Sequence, residues 1–136
     1  MFEVAVQETF AAGHSLRNYK GKCENVHGHN YRVELTFQGE ELDEIGLLVD
    51  FVEVKRLIRG VVERLDHRFI NDLEPFTELN PSAENLAKYF YDQVSSGIGN
   101  NAVRLEKVKL WETDTTYAAY RPPARLLSGD ATRSSS

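Results

Sequence analysis

A chain of 136 residues, 41% hydrophobic and 27% charged, has the size and balance of one compact domain able to bury a core, which argues against two domains. Its formal net charge of -5 argues against nucleic acid as the main partner, because phosphate backbones are held by basic patches; a small phosphorylated substrate stays compatible. No run approaches the roughly 18 to 20 apolar residues of a membrane span, and the opening MFEVAVQETF lacks the charged-then-apolar layout of a signal peptide, so no membrane partner and a cytoplasmic location are expected.

Phe2 to Phe10 reads as a strand, followed by a polar stretch with His14, Cys23, His27 and His29. From Tyr31 to Gly39 the alternation is strict: Tyr31, Val33, Leu35 and Phe37 share one face, and Arg32, Glu34, Thr36 and Gln38 share the other, the pattern of a half-buried strand with one wet face. Between Phe51 and Leu65 the apolar residues recur at helical spacing, with Asp50 and Glu53 resembling a capping box. A second helix is expected from Ser82 to about Val94, after the turn at Asn80-Pro81. The loop SSGIGNN (95–101) separates it from two more strands, Leu105 to Glu112 and Thr116 to Arg121. The order β-β-α-α-β-β predicts an α+β domain over 1–121, an antiparallel sheet with both helices on one face. Residues 122–136 are Pro-rich and then Ser-rich, and read as a flexible tail.

The chemistry is concentrated in four histidines and one cysteine. His27 and His29 flank Gly28, and side chains two apart on an extended segment point to the same side, so both imidazoles can reach one ion. A hairpin between the first two strands would return the chain from His14 to His27. Three imidazoles with an open fourth position form a catalytic rather than a structural zinc arrangement, since closed structural sites usually carry more thiolates. A His-Gly-His triplet alone is a weak signal, more often a polar turn or strand end than a metal site. Asp66-His67, at the end of the first helix, fits a dipole-stabilising imidazolium or a carboxylate that orients an imidazole for proton transfer. Cys23 lies in a polar loop where core packing is an unexpected role. Lys20, Lys22 and a nearby zinc would favour its thiolate and Glu24 would oppose it; an incidental surface cysteine is the alternative.

The ordered set Phe10-x-Ala12-x-His14, Cys23-x-x-x-His27-Gly28-His29, Leu65-Asp66-His67, Asn80-Pro81-Ser82-Ala83-Glu84 and Trp111-Glu112-Thr113 resembles the 6-pyruvoyl-tetrahydropterin synthase family over residues 2 to about 121. It is especially similar to the bacterial branch that makes 6-carboxy-tetrahydropterin, because three residues separate Cys23 from His27 where the pyruvoyl-forming branch typically has five. The resemblance implies the tunnelling fold, assembled as a homohexamer from two trimers. It implies zinc held by His14, His27 and His29, Cys23 as general base, and Asp66 with His67 assisting proton transfer. Glu112 would anchor the pterin ring by accepting its two parallel donors. The implied substrate is 7,8-dihydroneopterin triphosphate, with Arg17, Lys20 and Lys22 as candidate triphosphate contacts or, equally, a solvated loop. Many relatives carry Ser or Thr at the position of Ala83, so Ser82 is the expected substitute contact. A third branch, which makes 6-hydroxymethyl-dihydropterin, uses a glutamate near the cysteine position, and Glu24 keeps it open. A non-catalytic zinc- or pterin-binding role is the alternative of another class, and Cys23, Asp66 and His67 speak against it.

Overall fold

The computed structural model describes residues 1–21, 25–99 and 102–123. Its elements are β1 (Phe2–His14), β2 (His27–Gly39), α1 (Phe51–Leu65), a short 3-10 turn (Ile70–Asp72), α2 (Ala83–Ser95), β3 (Val103–Thr113) and β4 (Thr116–Tyr120). The four strands form one antiparallel sheet in the order β1-β2-β3-β4. Both long helices pack against the sheet, α1 chiefly on β1 and α2 on β3 and β4.

The helix-covered face follows from the period of two along each strand. Val6 and Phe10 of β1, Tyr31, Val33, Leu35 and Phe37 of β2, and Leu105, Val108 and Leu110 of β3 are all buried. Opposite them lie Val54, Ile58, Val62 and Leu65 of α1 and Leu86, Ala87, Phe90 and Val94 of α2. Each such side chain removed from water stabilises the fold by about 1.5 to 3 kcal/mol, so this layer is what sets the helices on the sheet.

Local chemistry fixes the ends. Asp50 caps α1 by accepting from the Val52 N–H at 2.9 Å, while Glu53 pairs with Arg56, so Asp50 caps the helix and Glu53 is engaged elsewhere. Ser82 caps α2, its Oγ accepting from the Asn85 N–H at 3.1 Å, worth about 1 kcal/mol against alanine. β1 and β2 run further toward each other than the apolar pattern alone predicts, because the Gly- and His-containing segments at their junction continue the ladder to His14↔His27.

Two irregularities in β3 depart from strict alternation. Thr36 pairs with Lys107 but Phe37 with Leu105. Glu106 is thereby left as an extra residue, which lets Leu105 and Val108, three apart, both face the core. Thr36, expected on the wet face, keeps only 2% exposure. The second irregularity falls at Glu112: Trp111 pairs with Tyr117 and Thr113 with Thr116, so Glu112 has no partner on β4.

The free edge of β1 is partly covered by the segment after α1. His67 N–H donates to the Ala11 carbonyl at 2.6 Å and Gly13 N–H to the Arg68 carbonyl at 3.0 Å, with a parallel bridge between Gly13 and Phe69. Among the described residues no helix is long and apolar enough to cross a membrane.

Candidate active site

In the β1–β2 register His14 lies directly across from His27, and Ala12 across from His29. Directly opposed side chains in an antiparallel pair share a face, so all three imidazoles project to the helix-covered side. One ring nitrogen of each lies within 4.8 Å of the others. His14 is buried, His29 half-buried and His27 exposed, so the cluster has a closed floor and an open mouth. The Nδ1 atoms are not equivalent. His14 Nδ1 lies 2.7 Å from the Pro81 carbonyl, which can only accept, so Nδ1 carries the proton and Nε2 turns its lone pair toward the other two rings. That Nε2 is buried without a hydrogen-bond partner. A neutral imidazole nitrogen aimed at two more within bonding range of a common centre fits a divalent transition ion.

The segment after His14 is locked by side-chain amides. Asn71 accepts from the Ser15 N–H at 3.0 Å and donates to the Ser15 carbonyl at 2.9 Å. Asn80 treats Arg17 in the same way, at 2.8 and 3.0 Å. The Arg17 guanidinium turns inward and donates to the carbonyls of Phe76 at 2.6 Å, Leu79 at 3.3 Å and Asn71 at 3.4 Å. This corrects the expectation that Arg17 reaches toward a triphosphate: its donors are engaged in holding the 71–80 loop that carries Pro81 to His14. An Arg17→Met variant is therefore expected to lose about 2 kcal/mol of stability, seen as a lower urea midpoint, with unchanged affinity for triphosphate below the transition. Lys20 is exposed, its Nζ 5.4 Å from the Tyr19 ring. Lys22, Cys23 and Glu24 lie outside the described residues.

Glu112 reaches the cluster from β3. Its bulged position re-aims the side chain, and Oε2 stands 3.6 Å from His14 Nε2. A cleft of about 250 Å³ opens beside it, with Leu16, Ser82, Ala83, Glu112, Thr116 and Tyr117 among its walls. The Ser82 hydroxyl accepts in its capping bond and keeps its proton to give. Tyr31 is the residue that the sequence reading assigned only to the core. Its ring lies edge-on to His14 at 5.9 Å and to His29 at 5.5 Å. Burial first, and then the Glu112 carboxylate, push its phenol pKa far above the usual value, so the hydroxyl stays protonated. Its position two residues after His29, on the same face as the ligands, was the available signal.

Asp66 and His67 sit elsewhere. Asp66 Oδ1 accepts from the Ala11 N–H at 2.9 Å and Oδ2 lies 3.1 Å from His67 Nδ1. The backbone bond to Ala11, and then His67, hold the Asp66 carboxyl below the ordinary carboxylate range. His67 has φ of 60°, a left-handed conformation that costs a non-glycine residue on the order of 1 kcal/mol and gathers at functional positions. It is largely exposed and lines, with Arg68, a cleft of about 390 Å³ that Ala11, Ala12, Gly13, Gly28, His29 and Asn30 also border. A larger cleft, about 490 Å³, lies at the far end of β2 near Leu48 and Val103 and contains no histidine.

Residues 3–123 match the family model described as 6-pyruvoyl tetrahydropterin synthase. The chain belongs to that family. Among family members, it is 36% identical to the 6-carboxy-5,6,7,8-tetrahydropterin synthase of Bacillus subtilis over 135 residues, which covers 94% of this chain and 90% of the relative. It is 30% identical to the 6-pyruvoyl tetrahydrobiopterin synthase of Dictyostelium discoideum, covering 85% and 92%. The solved 6-pyruvoyl tetrahydropterin synthase of Caenorhabditis elegans superposes with a TM-score of 0.78 at 29% identity, covering 89% of this chain and 95% of that one. The α+β architecture is thus that of the family, the tunnelling fold.

Proposed function

We propose that this protein is a zinc-dependent 6-carboxy-5,6,7,8-tetrahydropterin synthase. It converts 7,8-dihydroneopterin triphosphate and water to 6-carboxy-5,6,7,8-tetrahydropterin, acetaldehyde and triphosphate, on the route to queuosine. The observation that carries the reading is the placement of the Glu112 carboxylate 3.6 Å from the buried histidine of a three-imidazole cluster. A pterin accepted by Glu112 through its 2-amino and N3-H donors would lie beside the cluster with its side chain turned toward it. Zinc on His14, His27 and His29 would supply Lewis acidity to the side-chain hydroxyls.

The chain's own residues then divide the work. His14 is held in one tautomer by Pro81, and Glu112 accepts the donors of the pterin ring. Cys23, as thiolate, takes the proton from the substrate's side-chain carbon. Asp66 orients His67 for the matching proton delivery, Ser82 offers its hydroxyl proton to the pterin edge, and Lys22 meets the triphosphate. Because His67 is bound to the outer edge of β1, largely exposed and outside the imidazole cluster of its own chain, we read each working site as built from more than one copy, with His67 coming from a neighbour. A homohexamer of two trimers, in the cytoplasm, is the assembly consistent with that reading.

The branch is favoured by the three-residue gap from Cys23 to His27 and by relatives in Bacillus subtilis and Aquifex aeolicus, 36% and 35% identical, that both bear the carboxy-forming name. Zinc-loaded protein incubated with 7,8-dihydroneopterin triphosphate should release acetaldehyde. Glycolaldehyde still carrying the phosphate ester would instead match the aldolase activity named for a 29% identical relative in Pyrococcus furiosus. Loss of triphosphate with neither aldehyde would favour the pyruvoyl-forming branch. No turnover would overturn the enzyme reading.

A further inference from the structure

The Tyr31 ring has enough packing to explain itself without its hydroxyl. It is fully buried and stacks on Phe10 at 5.0 Å with the planes 15° apart. A phenylalanine would make the same contacts without burying a polar group, and Tyr31 Oη is buried with no hydrogen-bond partner. Buried hydroxyls are nearly always bonded, so this one awaits an acceptor.

Glu112 is in the converse position. The β2–β3 ladder ends at Arg32↔Trp111; the same register carried one step further would set Tyr31 opposite Glu112 on the helix-covered face, and the Glu112 charge is felt at the Tyr31 phenol. The Glu112 carboxylate faces His14 Nε2 at 3.6 Å, the lone-pair atom that a metal would occupy. Once that atom is taken, an anionic acceptor on a bulge stands next to a neutral donor beneath it.

We propose that Tyr31 is a positioning residue: in the metal-loaded site its hydroxyl donates to Glu112 and holds the carboxylate in the orientation that accepts both pterin donors. This rests on the reading of Glu112 as the pterin acceptor. The consequence is selectivity, because a tethered carboxylate discriminates between ring edges that a freely rotating one would treat alike.

Tyr31→Phe tests this, since it keeps the ring and removes one oxygen. Zinc-loaded parent and variant are titrated calorimetrically with pterin and with lumazine, which has a carbonyl in place of the 2-amino donor, and zinc content is measured in parallel. The parent should prefer pterin. The variant should keep its zinc, bind lumazine as the parent does, and lose about tenfold of that preference, the scale of one hydrogen bond to a charged group. An unchanged preference in Tyr31→Phe overturns the role of the hydroxyl, and so does loss of zinc, which would make Tyr31 a support of the metal cluster. A parent with no preference, matched by Glu112→Gln, overturns the Glu112 reading itself and is recognisable without the Tyr31 variant.

Discussion

His14→Ala and His27→Ala both empty the metal site, but only the first also weakens the fold. Removing one of three ligands is expected to reduce metal affinity by more than the 10- to 100-fold typical of changes to a ligand's supporting partner, so metal analysis after dialysis should find either variant largely depleted and turnover at background. The two positions differ in what else they touch. His14 is 1% exposed and bonds the Pro81 carbonyl at 2.7 Å. Truncation there leaves a cavity and an unsatisfied acceptor, a loss of about 2 to 4 kcal/mol. His27 is exposed, and its truncation should move the metal-free urea midpoint little. Equal destabilisation in metal-free protein would mean that His14 is not the structural anchor of the cluster. Retained metal in His27→Ala would remove it from the ligand set.

Much of this arrangement could be read from the chain before any coordinates. The alternation from Tyr31 to Phe37 and the helical spacing from Phe51 to Leu65 set the layers, since each reflects which side of an element meets water. The pairing of His14 with His27 followed from hairpin geometry and the two-residue repeat. What stayed illegible depended on long-range pairing. Nothing in Trp111-Glu112-Thr113 announces that Glu112 lacks a partner on β4, because a bulge is a property of two strands in register. Arg17 looked like a loop cation, yet carbonyls some 54 to 62 residues away in sequence turn its charge inward. Tyr31 was legible as core and not as a hydroxyl, because periodicity records the ring and is blind to the oxygen.

Copies carrying His27→Ala and copies carrying His67→Ala, each inactive alone, should recover turnover when co-expressed. The reason is the sheet itself. The triad points to the helix-covered face, whereas His67 is tied to the outer edge of β1 and stands outside the imidazole cluster, where a neighbouring copy can meet it. A closed oligomer repeats each face beside its neighbour's, which lets the triad of one copy meet the His67 of the next. A competent site then needs a metal-holding copy, which is the His67→Ala chain, and a neighbour with intact His67, which is the His27→Ala chain. With equal random mixing each requirement is met with probability one half, so about a quarter of the sites should work. Zinc content should be about half that of the parent, since only the His67→Ala chains bind it. If each site were complete within one chain, mixing would restore nothing, and zinc content would still be half. That contrast separates a shared site from one in which His67 acts on its own chain's triad.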